Sequence, residues 1–115
     1  IIRHAMWGCV SSSGSGLQIL DNDLSDCGHE AVDIKGGSAI VRGNKIRDSY
    51  AAIVVLEGSP TIEGNTISNC GGGIAVLPPA QAGTRLGQNS VTLAPPGTRV
   101  EWRYGDFAYR MFERP

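Results

Sequence analysis

The chain of 115 residues fits a single domain, because a chain of this length buries one modest hydrophobic core. Sixteen glycines, 41% hydrophobic residues and only 18% charged residues exclude a disordered chain and an ordinary helical bundle, and predict a folded, turn-rich structure. Ten basic and eleven acidic residues give a net charge of −1, so no overall field favours nucleic acid or an anionic membrane as a partner.

The first residue and the cysteines bear on the cellular context of the chain. It begins with Ile1 rather than Met, without a leader or an apolar run of about 18 residues, which indicates an excerpt from a longer protein and leaves the compartment open. Cys9, Cys27 and Cys70 form no CxxC pair. Because an odd number of cysteines argues against a closed disulfide framework, we predict reduced thiols that pack as small residues.

Taken in chain order, short apolar strands follow one another at a nearly constant spacing. The segment 41–46 (VRGNKI) recurs 21 residues later as 62–67 (IEGNTI). A second short strand, 53–56 (IVVL), recurs at the same distance as 74–77 (IAVL). The same pattern extends towards both ends of the chain with one to three extra residues in the turns. A repeat of this kind predicts a solenoid rather than isolated hairpins or a helical protein.

Short strands at this period bury their apolar residues only if successive coils stack on one another. Each coil then advances by about 4.8 Å, so that equivalent residues of neighbouring coils meet directly. A leucine-rich repeat has a similar period, but it needs a leucine-dominated strand and a helical return, which this sequence lacks. The three predicted inward columns are Ile2, Leu24, Ile46, Ile67 and Val91; Ile19, Val41, Ile62 and Leu86; and Val10, Val32, Ile53 and Ile74.

One polar column accompanies the apolar ones. Asparagine tolerates the left-handed turn conformation, and its amide can bond to the equivalent amide one coil away, so these positions predict a structural ladder. Separate surface turns that merely align are the alternative, which the common register of the flanking apolar residues disfavours. The ladder comprises Asn22, Asn44, Asn65 and Asn89.

Two segments carry a family resemblance. Residues 58–67 (GSPTIEGNTI) and 72–76 (GGIAV) resemble the repeats of the pectate-lyase-like superfamily. The most similar subgroup is the one found in F-box ubiquitin-ligase subunits, SHC-binding proteins and periplasmic copper-processing proteins. The resemblance covers roughly residues 2–93. It implies an all-β fold, a right-handed single-stranded parallel β-helix of about four coils of 21–24 residues each.

The end of the chain differs from the repeats, and we divide the sequence into β-helix coils at 1–97 and an aromatic-rich segment at 98–115. Five of the seven aromatic residues lie in the last fourteen positions. Because the last coil of a solenoid exposes apolar residues and unpaired strand edges, we expect this segment to be a C-terminal cap. Docking onto a partner is the alternative. Its aromatic residues are Trp102, Tyr104, Phe107, Tyr109 and Phe112.

Enzymes of the superfamily that these repeats resemble place carboxylates on neighbouring coils of one face, so clustered acidic residues would indicate a catalytic site. Asp33 has no acidic neighbour in the next coil. His29 and Glu30 occupy a turn with one extra residue, as a surface insertion or a ligand contact. One polar column, which could bind a metal or else consist of solvated turn residues, comprises His4, Asp26, Asp48 and Asn69. No catalytic residue and no cofactor are predicted.

The functional hypothesis is a non-catalytic scaffold or protein-interaction segment within a larger protein or assembly. Its partner would be another protein or a missing part of the same chain, with neither nucleic acid nor membrane involved. The alternative is part of a lyase, hydrolase or epimerase that acts on uronic-acid polymers. Passive carbohydrate binding lacks support because, apart from Trp7 near the start of the chain, only Tyr50 is aromatic among the coils. The predicted interface is an outward apolar patch of Val54, Leu56, Ala75 and Leu77 together with the aromatic segment.

Overall fold

The computed structural model describes residues 2–3 and 8–95, which form short strands joined by tight turns and one single-turn helix. The predicted segment 98–115 and His4 lie outside the described residues. The elements in chain order are β1 (Ile2–Arg3), β2 (Val10–Ser12), β3 (Gln18–Leu20), β4 (Asp23–Ser25), β5 (Glu30–Ile34), β6 (Ile40–Arg42), β7 (Lys45–Arg47), β8 (Ala51–Val55), β9 (Thr61–Glu63), β10 (Thr66–Cys70), β11 (Gly72–Val76), α1 (Pro78–Gln81), β12 (Arg85–Leu86) and β13 (Ser90–Leu93).

The strands form three parallel sheets, which are the three faces of a coil. Sheet 1 has the order β1-β4-β7-β10-β13, sheet 2 the order β2-β5-β8-β11, and sheet 3 the order β3-β6-β9-β12. Consecutive strands of the chain therefore lie in different sheets, and each strand pairs with the strand one full turn away. This arrangement confirms the predicted all-β parallel solenoid of about four coils.

The strand register confirms the predicted inward columns. Ile46 pairs with Leu24 on one side and with Ile67 on the other, and equivalent pairings relate the other two columns. Because like residues stack on like, aliphatic side chains fill the interior of the described coils. The core residues with at most 1% exposure include Leu24, Val32, Ile34, Val41, Ile46, Ile53, Val55, Ile62 and Ile67.

The corners between sheets contain residues in the left-handed conformation. Asp21, Gly43 and Gly64 have φ values of 54°, 71° and 67° and immediately precede the ladder asparagines. The conformational part of the ladder prediction is therefore wrong, since the preceding residue, not the asparagine, supplies the left-handed turn. This leaves the asparagine backbone free to continue into the next strand.

The cysteines correct a second prediction. Cys9 and Cys27 form a disulfide with their Cα atoms 5.6 Å apart, whereas Cys70 is a free, buried thiol. The odd number of cysteines did not exclude a disulfide, because two of the three form the bond and the third remains a thiol. The two bonded residues are 18 positions apart, less than one coil, and lie at the corner between sheets 1 and 2.

The described residues contain no helix of the length and apolarity that a membrane crossing requires.

Candidate functional site

The asparagine ladder is confirmed as a continuous hydrogen-bonded column. The Oδ1 of Asn65 accepts two hydrogen bonds from Asn44, one from its backbone N–H at 3.0 Å and one from its Nδ2 at 2.9 Å. The Nδ2 of Asn65 in turn donates to Oδ1 of Asn89 and to the carbonyl of Val41, both at 2.9 Å. Since Asn44 and Asn65 are at most 1% exposed, the ladder holds the coils in register rather than contacting a ligand.

The described members of the predicted polar column lie at the corner between sheets 1 and 2, where they serve the turn. Asp26, Asp48 and Asn69 have φ values of 52°, 55° and 53°, a conformation that short polar side chains tolerate. Asn69 donates from Nδ2 to Oδ1 of Asp48 at 2.8 Å, and Arg47 approaches the same carboxylate at 3.6 Å. Within residues 2–3 and 8–95, no group of three His, Cys, Asp or Glu side chains could hold a metal ion.

A second polar cluster was only partly anticipated from the sequence. His29 and Glu30 are in contact, with Nδ1 and Oε2 2.9 Å apart, and Asp33 lies three residues further along β5. The register places Asp33 between Ser11 and Val54, so it has no acidic neighbour in either adjacent coil. The missed relationship is within one strand, where the negative charge of Glu30 acts on Asp33.

Asp33 is an outward residue that is nevertheless 6% exposed. Its Oδ1 has no hydrogen-bond partner among the described residues, and Lys35 Nζ lies 3.7 Å from its Oδ2. Burial raises the pKa of the Asp33 carboxyl above its usual range, the negative charge of Glu30 raises this pKa further, and Lys35 opposes the rise. A carboxyl group of this kind holds a proton more tightly than a solvated one.

The predicted apolar patch is wrong for Val54. Val54 lies outside the main core, as expected for an outward residue, but it is only 2% exposed and forms a small second cluster with Ala51. Tyr50 and Leu56 pack against this cluster. Leu56, Ala75 and Leu77 are each partly exposed. The accessible part of the predicted patch is therefore limited to these three residues, which lie in or directly after β8 and β11.

The free thiol of Cys70 is a core group rather than a reactive one. It is fully buried, and burial raises its pKa to about 11, so it remains protonated at neutral pH.

Of the five exposed large apolar residues in the described part of the chain, three belong to the last coil. Val91 pairs in register with Ile67, yet Val91 is 43% exposed while Ile67 is 1% exposed. Leu86, whose partner is the fully buried Ile62, is 56% exposed. Leu93 at the end of β13 is 39% exposed. We call this surface, formed by Leu86, Val91 and Leu93, the open end.

The aromatic residues predicted to contribute to an interface cannot be placed relative to the open end, because they lie outside the described residues. They are Trp102, Tyr104, Phe107, Tyr109 and Phe112.

Comparison with known proteins identifies the fold independently. A family model described as a right handed beta helix region matches residues 1–91. No curated protein and no solved structure matches the chain significantly. The match covers the coils described above, and with them the ladder, the polar clusters and the strands of the open end up to Val91.

Proposed function

Because this chain belongs to the right-handed β-helix family, a fold that serves enzymes as well as binding modules, we propose that it is a non-catalytic scaffold whose last coil joins a further layer of protein. The open end is the observation that carries this proposal.

Inward residues at equivalent positions of the repeat are less buried at both ends of the described stack, and the most exposed of them lie in the last coil. Ile62 and Ile67 are covered by the coil above them, whereas Leu86 and Val91 have no covering coil within the described residues. Clustered exposed apolar residues mark protein contact surfaces, and the exposed edges of β12 and β13 offer unpaired backbone groups for strand addition.

The hydrogen-bonded ladder has a direction that supports the same proposal. The backbone N–H of each ladder asparagine donates to the side chain of the asparagine one coil further on, at 2.9 to 3.1 Å. Asn89 is the last member of this column. A further layer with an acceptor at this corner would continue the pattern.

The polar cluster of β5 is the observation that favours the alternative, an enzyme acting on uronic-acid polymers. A carboxyl group with a raised pKa beside a second acid is a feature of general acid catalysts. However, His29 and Asp33 are each only 6% exposed, and a polymer cannot reach their side chains in this arrangement. The scaffold proposal is therefore the better supported of the two.

Hydrogen exchange on the complete chain tests the scaffold proposal. We expect the amides of β11 and β12 to be protected nearly as well as those of β8 and β9, because a covering layer would pair the outward N–H groups of these last strands. Rapid exchange of β11 and β12 beside protected β8 and β9 would show that no layer joins the open end, and the proposal would fail.

Incubation with sodium polygalacturonate, with and without calcium, tests the enzymatic alternative. We expect no decrease in polymer size by chromatography. A decrease that the substitution Asp33→Asn abolishes would show that the cluster of β5 is catalytic and would overturn the scaffold proposal, and the variant also serves as the control for contaminating activity.

A further inference from the structure

We propose that the layer over the open end is residues 96–115 of this same chain, which would cross the ends of sheets 2 and 3 and close the solenoid. This inference rests on the proposed function, because it names the occupant of the same surface.

The three sheets end at different heights. Sheet 1 contains five strands and ends in β13, whereas sheets 2 and 3 contain four strands each and end in β11 and β12. The stack therefore has vacant strand positions above β11 and β12 within the described part of the chain. A segment that fills them must contain two short strands and a turn.

The chain leaves β13 in the direction of the first vacant position. Ala94 donates its backbone N–H to the carbonyl of Cys70 at 2.9 Å and is 7% exposed, so it still follows the coil beneath it. Cys70 lies two residues before β11. The residues that follow Ala94 and Pro95 in the same register would run along the free edge of β11.

The length of the remaining segment matches the path. Residues 96–115 are twenty residues, and the distances between successive ladder asparagines are 22, 21 and 24 residues. The segment is thus long enough to pass over both vacant positions.

The chemistry of the segment also suits a closing layer. Aromatic residues alternate with other residues at 102 and 104 and again at 107 and 109, a period of two that predicts short strands with one apolar face. Such a face would cover Leu86 and Val91. The segment contains no asparagine and has seven charged residues, so it would end the ladder and present charge at the new edge, which disfavours further strand pairing.

A second copy of the chain fits the open end less well. With the asparagine ladders aligned, β1 of the second copy would lie above β13, and its β2 and β3 would lie one layer too high. A gap of about 4.8 Å, the spacing of one strand, would remain above β11 and β12. The second copy would therefore leave the vacant positions unfilled.

Photo-cross-linking of the complete chain tests the inference. We would substitute Trp102→p-benzoylphenylalanine, irradiate the folded protein, and map the cross-linked peptides by mass spectrometry. We expect cross-links within one molecule to peptides that contain β11, β12 or β13. The same photo-reactive residue at the exposed position Ser15, near the opposite end of the stack, is the control and should give no cross-link to these strands.

Other outcomes overturn the inference in distinguishable ways. Cross-links to the last coil that appear only in a dimer would identify a second copy as the occupant, and the scaffold proposal would survive. Cross-links to Tyr50 or Leu56 on the outer face of sheet 2, or none in the folded protein, would exclude the segment from the open end. Failure of the scaffold proposal itself is read separately, from unprotected amides in β11 and β12.

A second variant links the segment to protection of the open end. The double substitution Trp102→Ser and Phe107→Ser should accelerate exchange in β11 and β12 at least tenfold while exchange in β7, two coils below β13, is unchanged. Unchanged exchange in β11 and β12 would contradict the inference, and slow exchange in β7 verifies that the variant is folded.

Discussion

The Oδ1 atom of Asn65 accepts two hydrogen bonds from Asn44, at 2.9 Å from the side-chain amide and 3.0 Å from the backbone N–H. One buried oxygen thus satisfies two donors of the preceding coil. Each asparagine repeats this arrangement towards the next, so the column couples neighbouring coils at a corner where strand pairing is interrupted.

This coupling predicts a graded cost of removing ladder residues. The substitution Asn65→Ala should lower the free energy of unfolding by about 3 kcal/mol, because buried groups of Asn44 and Val41 lose their partners at about 1–3 kcal/mol each. Asn22→Ala should cost only about 1 kcal/mol, since the backbone N–H of Asn22 still donates to Asn44. Urea unfolding followed by circular dichroism measures both, and equal costs would contradict a cooperative ladder.

The Cys9–Cys27 disulfide predicts a stability that depends on redox conditions. Reduction should lower the free energy of unfolding by about 3 kcal/mol, because the bond restricts a loop of 18 residues in the unfolded chain. The double variant Cys9→Ser and Cys27→Ser should show the lower stability with and without reductant. If reductant destabilises this variant as well, or leaves the wild type unaffected, the predicted contribution of the bond is wrong.

Asp33 predicts a stability change with pH. Its raised pKa means that the folded protein binds this proton more tightly than the unfolded chain, so its contribution to stability falls as pH rises from the ordinary value of 3.8 through the raised value. Asp33→Asn should therefore be more stable than the wild type at pH 7, with the difference vanishing below pH 3.8. Thermal unfolding across this pH range measures the difference.

Asp48→Asn is the matched control for the Asp33 measurement. Asp48 lies exposed at a left-handed corner that asparagine also tolerates, and it should give no comparable gain at pH 7. A difference between wild type and Asp33→Asn that did not change with pH would show that the charge of Asp33 is not its cause.

The glycine corner between sheets 2 and 3 predicts a sharp contrast between two glycines. Gly37 has a φ of 76°, and a Cβ atom there would overlap the carbonyl oxygen of Gly14. We expect Gly37→Ala to cost more than about 2 kcal/mol through the left-handed conformation and the overlap. A Cβ on Gly14 would meet no atom within 4 Å, so Gly14→Ala should change stability by less than about 0.5 kcal/mol. Chemical unfolding of the two variants measures the contrast.

Much of the fold could be predicted because the repeat converts sequence distance directly into spatial contact. Residues 21 or 22 positions apart, such as Leu24 and Ile46, must meet if coils stack. The pairing of β4 with β7 confirms the contact between these two apolar residues. The ladder follows from the same register. The alignment of Asp26 with Asp48 could be predicted for the same reason. Their left-handed backbone conformation, which shows that they form the turn, is seen only in the structure.

Contacts between positions that are not equivalent in the repeat were harder to predict. Cys9 and Cys27 are joined across less than one coil, so no periodic argument pairs them. The side-chain alternation along β8 directs Val54 outward, which predicts an exposed residue. Its burial instead depends on the residues that pack on the outside of sheet 2, and the repeat does not predict these contacts.

The coil period, the inward columns and the asparagine ladder follow from the order of the residues alone, because regular hydrogen bonding between stacked strands fixes which residues face one another. The disulfide, the burial of Asp33 and Val54, and the exposure of Leu86 and Val91 at the open end emerge only in the folded protein. These properties depend on lateral packing and on where the stack stops, and neither is encoded in the period of the repeat.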